Sequence, residues 1–290
     1  MATNTPFGQR LGLVLEGGAM RGIYTAGVLD VFLEAGIMPD VVVGVSAGAL
    51  HGCSYVAGQK GRSIRYYRKY RSDKHFMGLY SLLTTGDVVG TKFCYEDIPL
   101  RLDPFNEAAF EKAPVDFYVT VTNVRTGKPE YILCDELKVG SKMDVIRAGA
   151  SMPLCSKMVE WNGKLYLDGG VSDSIPYAKM KDFGCRKSIV VLTQPAGYLK
   201  QPAAMAPFEA MYRKYPAFVE AMRGRDQMYN TEVCAVEQAA KQGDVFLIRP
   251  SKLLHVGRME HDIEVLNAQY ELGRQDARNQ MDVMREWMER

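Results

Sequence analysis

Val41-Val42-Val43-Gly44-Val45-Ser46-Ala47-Gly48-Ala49-Leu50 joins a β-branched run to a Gly-x-Ser-x-Gly pattern and then to small apolar residues. A run of that kind has the form of a buried parallel strand. The small residues after it suit a tightly packed helix. Strand, Gly-x-Ser-x-Gly and helix together are the sequence form of a nucleophile elbow: a sharp turn exposes Ser46, while Gly44 and Gly48 let the neighbouring backbone crowd in. A helix starting there points its free N–H groups and positive dipole end at the serine. The five-residue pattern alone also arises by chance in turns; the strand before and the helix after carry the assignment.

Upstream lies a second strand-and-loop unit. Leu11–Glu16 is a short apolar run that stops in Gly17-Gly18-Ala19-Met20-Arg21-Gly22, and Ile23–Glu34 reads as a helix with Val28, Val31 and Phe32 on one face and Gly36 as its stop. Strand, glycine loop, helix and the strand at Val41–Val43 form a right-handed βαβ unit. The loop admits three readings. A dinucleotide fingerprint requires G-x-G-x-x-G with a later acid, but Ala19 takes the third position and Asp40 precedes the second strand. A tight turn with no chemistry is the second. The third is an oxyanion hole, successive N–H groups at a helix start aimed at an anion. The third is favoured, because both loops fall at the carboxyl ends of neighbouring parallel strands, where open α/β sheets place their sites.

The 290 residues accommodate one large α/β domain or two smaller ones, and 47% apolar content is ample for a core. A net charge of +2 gives no basic excess and argues against a nucleic-acid partner. No apolar run approaches the ~20 residues of a membrane span. Met1–Arg10 lacks a secretory core, so a cytoplasmic protein is expected, with peripheral contact at a membrane surface left open. The six cysteines form no C-x-x-C pair, and His51, His75, His255 and His261 have no ligand spacing. No metal and no cofactor are expected.

Lys60–Lys74 interleaves basic residues with tyrosines; either it contacts anionic lipid or it is a solvated helix face with the tyrosines packed inward. Met77–Phe105 is mixed in pattern and suits a cap beside a site. Val115–Val124 reads as a strand, turned at Thr126-Gly127-Lys128 towards Tyr131–Cys134, and Lys142–Ala150 as a helix ending at Ser151-Met152-Pro153. Asn162-Gly163 between Lys157–Trp161 and Lys164–Leu167 signals a type I′ hairpin, which delivers Asp168-Gly169-Gly170. Taken alone, Asp168 is an ordinary turn former. Ser188–Thr193 and Val245–Pro250 are further strands, Pro202–Gln242 is helical, and Glu260–Arg290 has helical spacing at Ile263, Leu266, Tyr270 and Leu272. Without a repeat or linker, one domain over residues 1–290 is expected, with a core at about 8–200 and a helical extension at about 201–290.

Gly17-Gly18-Ala19-Met20-Arg21-Gly22 after a first strand, Gly44-Val45-Ser46-Ala47-Gly48 after a second, and Asp168-Gly169-Gly170 after a hairpin resemble, in order and spacing, the patatin-like phospholipases. Ser151-Met152-Pro153 fits as well, and residues 201–290 look like the helical tail of bacterial members. The resemblance implies a three-layer α/β/α fold with a mainly parallel central sheet. It also implies hydrolysis of a lipid acyl ester by Ser46 as nucleophile and Asp168 as base, without metal or cofactor. Gly17, Gly18 and Ala19 would supply the oxyanion hole, and Arg21, Gly22, Gly44, Gly48, Gly169 and Gly170 the supporting motifs. Ala19 stands where the family usually has glycine; its N–H still donates if φ stays negative, whereas a positive φ would be strained. Glu16 stands where many members carry Asp. Arg21 either adds charge near the loop or anchors it by a salt bridge.

Three rivals remain at this stage. His255 and His261 come late enough for a Ser–Asp–His triad; His51 is expected to pack away from Ser46. A lipid- or partner-binding module with a vestigial serine site, and a nucleotide-dependent oxidoreductase, are the non-hydrolase alternatives.

Overall fold

Leu13 and Leu15 turn to one face of the first strand and Val14 to the other, and all three are fully buried. The same parity holds for Val42 against Val41 and Val43, and for Ile189 and Val191 against Val190 and Leu192. Successive side chains of a strand point to opposite faces, so these runs can be apolar throughout only because both faces of the sheet are covered. The protein is described here by a computed structural model covering residues 10–290. Residues 1–9, on which the targeting expectation largely rests, lie outside the described residues.

In chain order the elements begin with β1 (Arg10–Leu15), a 3-10 turn (Ala19–Gly22), α1 (Ile23–Glu34), β2 (Val41–Val45) and α2 (Ala47–Val56). There follow α3 (Arg62–Tyr70), α4 (Leu79–Thr85), a π-helical segment (Phe93–Leu102) and α5 (Glu107–Lys112). Next come β3 (Asp116–Asn123), β4 (Pro129–Leu133), α6 (Met143–Gly149), β5 (Val159–Trp161) and β6 (Lys164–Asp168). The chain continues through β7 (Cys185–Val191), α7 (Ala206–Met211), α8 (Pro216–Arg223), α9 (Arg225–Gln242), β8 (Val245–Ile248) and α10 (Ile263–Glu289). Pro202–Gln242 is therefore helical in three pieces, with Pro216 starting α8 and Gly224 separating α8 from α9. Asn162 and Gly163 both have positive φ, as a type I′ turn requires.

The sheet has eight strands in the order β5-β6-β3-β2-β1-β7-β8, with β4 beside β3. β3, β2, β1, β7 and β8 run parallel; β4 and β6 are antiparallel to β3, and β5, antiparallel to β6, runs in the direction of β3. The α/β class and mainly parallel sheet follow the expectation. Strand order reverses at β1, between β2 and β7, the position where such sheets bind their ligands. α1, α2, α6 and α10 contribute to the core on one face; α9 and residues 175–185 cover the other.

β3 is shared in a way that fixes the site. β4 pairs with Tyr118–Thr122 along one edge. The other edge carries two strands end to end: β2 as far as Val45 opposite Thr120, then β6 from Asp168 opposite Val121. β2 is parallel and β6 antiparallel to β3, so their carboxyl ends meet.

α10 lies along α1. A Cβ on Gly27 would stand 2.1 Å from the Tyr270 carbonyl oxygen, and one on Gly273 would stand 2.1 Å from the Tyr24 carbonyl oxygen. Only glycine permits that approach at both points. Tyr270 donates to Asp30 Oδ2 at 2.6 Å, Tyr24 to Asp276 Oδ2 at 3.1 Å, and Arg274 pairs with Glu34 at 2.9 Å.

Candidate active site

Ser46 follows directly on β2 with φ 53° and ψ −123°, the strained left-handed turn of an elbow, and caps the start of α2. At such a turn the sharp reversal brings α2 back against the sheet. A Cβ on Gly48 would lie 2.3 Å from the Leu15 carbonyl oxygen, and one on Gly17 would lie 2.7 Å from Ser46 Cβ. Gly22 faces Ala47, Gly44 faces Ala49, and Gly169 faces the Thr120 carbonyl. The motif glycines thus mark where β1, α2, the glycine loop and the turn after β6 touch.

Because β2 and β6 end head to head on β3, Ser46 and Asp168 become neighbours although 122 residues separate them. Ser46 Oγ donates to Asp168 Oδ2 at 2.6 Å, and the Gly170 N–H donates to Oδ1 at 2.8 Å. Both side chains are buried, Ser46 at 8% exposure and Asp168 at 5%. Burial pushes the Asp168 carboxyl above the usual carboxylate range, opposed by the Ser46 hydrogen bond and the charge of Arg225.

The loop after β1 lies against this pair. Among the described residues the amides of Gly17, Gly18 and Ala19 donate to no protein acceptor. Ala19 has φ +50°, so the departure from glycine is on the strained side, at a cost of about 1 kcal/mol. The turn from extended β1 into the 3-10 segment imposes it. Glu16 holds the loop in place: Oε2 accepts the Thr193 N–H at 2.6 Å and Oε1 the Tyr229 hydroxyl at 3.0 Å. Thr193 Oγ1 in turn donates to the Gly17 carbonyl at 3.0 Å. Glutamate's extra methylene suits this reach to α9. Arg21 forms no salt bridge among the described residues, so the anchoring alternative is not what the structure has; its Nε is buried without a partner.

Arg225, at the start of α9, donates from Nε to the Gly170 carbonyl at 2.5 Å and so braces the turn that carries Asp168. Glu232, two turns along α9, accepts the Ser174 and Ile175 N–H groups at 3.2 and 3.0 Å and is hydrogen-bonded to Asp173. Burial first, then the neighbouring Asp173, raise the Glu232 pKa, and Tyr131 donates to Asp173 from the other side.

No histidine joins the pair. His51 sits within α2, fully buried, its Nδ1 3.0 Å from Ser63 Oγ, and burial pushes its pKa down to about 3. His255 and His261 are exposed and make no side-chain hydrogen bond among the described residues. The basic stretch also packs. Tyr66, Tyr67 and Tyr70 are buried, Arg62 and Arg65 engage Asp103, and Arg71 binds the carbonyls of Met259 and Glu260. These three arginines are held by the protein itself. All six cysteines are free thiols, and no cluster suited to a metal occurs among the described residues.

Two cavities meet at Ser46, sharing Ala19, Ser46 and Met152 as wall. One, about 100 Å³, is apolar and lined by Leu50, Tyr66, Tyr67, Met77, Tyr95 and Ile98, so the 77–105 segment does wall the site. The other, about 390 Å³, is the more polar of the two, and Asp168, Arg21, Lys200, Arg225 and Arg258 face it. Lys200, Arg225, Arg258 and Tyr229 were not legible as site residues: each is a single polar residue in a helical or loop stretch with no motif around it. No helix among the described residues is long and apolar enough to cross a membrane.

An elbow serine bonded to a buried carboxylate beside a loop of free amides, on a parallel α/β sheet, is the arrangement that acyl transfer through a serine calls for. A family model described as patatin-like phospholipase matches residues 13–180, more than half of the chain; the chain belongs to that family of lipid-ester hydrolases. A second model, described as Domain of unknown function (DUF6363), matches residues 215–289. "Uncharacterized protein YjjU" of Escherichia coli is 28% identical over 273 residues, spanning 91% of this chain and 75% of that protein. "Lysophospholipase nte1" of Aspergillus terreus is 30% identical over 182 residues, 61% of this chain but 11% of that protein. "Lysophospholipase NTE1" of Saccharomyces cerevisiae is 30% identical over 190 residues, with 63% and 11% covered. Among solved structures, VipD from Legionella pneumophila aligns over 96% of this chain and 67% of that chain, with a TM-score of 0.48 and 12% identity.

Proposed function

We propose that the chain cleaves an acyl ester of a lipid through a Ser46–Asp168 dyad and a covalent acyl-enzyme. The observation that carries this is the 2.6 Å hydrogen bond from Ser46 Oγ to Asp168 Oδ2 at an elbow where an apolar and a polar cavity meet. The acyl chain would lie in the apolar cavity and the alcohol portion in the polar one.

As Ser46 Oγ attacks the carbonyl carbon, Asp168 Oδ2 accepts its proton. The carbonyl oxygen becomes an oxyanion held by the amides of Gly17, Gly18 and Ala19, each such donor contributing about 100-fold or more in rate. On collapse, Asp168 returns the proton to the leaving alcohol. Water then attacks the acyl-enzyme by the reverse path, with Asp168 taking its proton and passing one to Ser46. An exposed carboxylate, pKa ~3.9, is a poor base towards a hydroxyl. Desolvation of Asp168 raises its basicity, and the Gly170 N–H fixes its direction.

The test is hydrolysis of p-nitrophenyl esters across acyl lengths, with and without EDTA. Ser46→Ala abolishes turnover and the chelator changes nothing. Activity that survives Ser46→Ala, or is lost in His255→Ala or His261→Ala, overturns the dyad.

A further inference from the structure

The helix α4 is built inside out. In Leu79-Tyr80-Ser81-Leu82-Leu83-Thr84-Thr85 the buried residue is Ser81, while Leu79 is 70% and Leu83 77% exposed, and Tyr80 and Leu82 are exposed as well. Leu79 and Leu83 stand four residues apart and so share a face of the helix. Hydrogen bonds hold it this way round. Ser81 Oγ donates to the Asp87 carbonyl at 2.8 Å, Thr85 Oγ1 to the Ser81 carbonyl at 2.8 Å, and Lys157 Nζ to the Thr85 carbonyl at 2.6 Å. An apolar helix face braced in an outward position marks an interaction surface.

Its place in the fold and its surroundings point to the partner. The helix is an excursion between Met77 and Val89, which pair across its base and both line the apolar cavity beside Ser46. Next to it runs a strip of rings: Tyr70 edge-on to Phe93 at 5.7 Å, Phe93 to His75 at 6.0 Å, and His75 to Tyr80 at 5.0 Å. Lys69 lies over the Tyr70 ring at 5.1 Å and Lys74 over the Tyr80 ring at 4.6 Å. Neither lysine, nor Lys157, has a carboxylate within ion-pair distance among the described residues. The acids of these segments are engaged: Asp73 by His75, Asp87 by the Lys157 N–H and Thr91, and Asp97 by Lys92 and Arg101. Outward leucines beside aromatic rings and unpaired lysines suit an anionic bilayer: the leucines enter between head groups, the rings lie at the boundary and the ammoniums meet phosphates.

We infer that α4, with Lys69, Lys74 and Lys157, is the surface by which the chain docks on an anionic lipid bilayer. Docking there sets the apolar cavity against the bilayer, and an acyl chain passes to Ser46 by way of the Met77–Val89 base. The docking needs no catalytic assignment; the route to Ser46 rests on that residue being the nucleophile. The charge of Lys60–Lys74 then divides by direction: Arg62, Arg65 and Arg71 are held by the protein, while Lys69 and Lys74 are exposed to the partner.

The test is cosedimentation of the full chain with vesicles in the Ser46→Ala background, where binding is read apart from hydrolysis. Vesicles of equimolar phosphatidylcholine and phosphatidylglycerol are expected to bind it, and phosphatidylcholine alone hardly at all. Leu79→Ser with Leu83→Ser lowers the partition about tenfold, and Lys74→Gln about fivefold. Val283→Ser is the control: that side chain is 62% exposed, about 30 Å along α10 from Ile263, and its loss leaves binding unchanged. Unchanged melting temperatures show that the fold is kept; if the leucine pair melts early, Lys69→Gln with Lys74→Gln decides alone. Equal binding to the two kinds of vesicle, undiminished binding in the leucine or lysine variants, or an equal loss in Val283→Ser overturns the surface. A dimer that the leucine variant dissolves, with no vesicle binding, gives the face to a second copy and overturns it too. Docking in the expected pattern by a chain that hydrolyses no ester with Ser46 intact supports the surface and refutes the Ser46 reading.

Discussion

Gly48→Ala tests whether the elbow depends on the contact between α2 and β1. The added Cβ would stand 2.3 Å from the Leu15 carbonyl oxygen, 2.8 Å from its carbon and 2.9 Å from the Glu16 oxygen, where ordinary contact begins at 3.4 Å. All three atoms are backbone. Leu15 is paired with Gly44 of β2 on one side and Val191 of β7 on the other, so the strand does not yield. The helix must retreat by the shortfall, about 1 Å (3.4 less 2.3), and carry Ser46 with it. Overpacking against a rigid wall costs about 3 kcal/mol, and the helix propensity of alanine over glycine returns up to about 1, for a net loss of about 2 kcal/mol. A displacement of about 1 Å at a reacting group costs about 100-fold in turnover. Gly52→Ala, about one turn further along α2, is the control. Its Cβ meets the side-chain ends of Phe117 at 2.9 Å and Leu15 at 3.0 Å, which can move. It should change stability by less than about 1 kcal/mol and leave turnover near wild type. Urea unfolding by circular dichroism gives the first quantity and p-nitrophenyl butyrate hydrolysis the second. Wild-type behaviour in Gly48→Ala, or equal damage in Gly52→Ala, refutes the reasoning.

Asp168→Asn keeps an acceptor for the Gly170 N–H but turns a donor towards Ser46, so turnover falls about 1,000- to 10,000-fold with the fold intact; a fall of less than tenfold removes Asp168 as base. Asp168 must be ionised to accept the proton and burial raises its pKa, so the acid limb of kcat/KM lies above the ordinary carboxylate value of ~3.9; a limb at or below it contradicts the burial argument. Ala19→Gly relieves a φ of +50° and stabilises the protein by about 0.5–1 kcal/mol in urea, with turnover within about twofold. The Glu232 pKa is raised on folding, so its contribution is complete below the unfolded value of 4.5 and is lost as pH rises towards the folded one. Glu232→Gln therefore flattens the alkaline fall in melting temperature and exceeds wild type at pH 9, and an unchanged slope rules that out.

Where local chemistry decides conformation, the structure follows the sequence closely. The β-branched run, the two glycine loops and Asn162-Gly163 each restrict the backbone within a few residues, and β1 to α2 and the β5–β6 hairpin lie where those signals put them. The union of Ser46 with Asp168 is not local. It depends on β2 and β6 sharing one edge of β3, a pairing no spacing reveals, and only the family resemblance connected the two residues. The cations opposite the serine were hidden for a related reason: Lys200, Arg225 and Arg258 lie on separate segments and converge only when α9 packs. Lys60–Lys74 shows the reverse case. Its charge is conspicuous in sequence, yet Arg62, Arg65 and Arg71 are spent on Asp103 and on backbone carbonyls. A count of charge cannot distinguish a surface from a clamp.

The interlock of α10 with α1 sets a schedule for the chain during its synthesis. α1 starts where the glycine loop ends, and Gln269 on α10 reaches back to the Arg21 carbonyl at 3.5 Å. Synthesis proceeds from the amino terminus, so the first strand, the loop and the elbow leave the ribosome long before the helix that buries the outer face of α1. Until Gly273 can seat against Tyr24, that face is bare and the loop beside Ser46 lacks its support. A chain built this way completes the support of the loop beside Ser46 only once α10 has emerged and packed on α1.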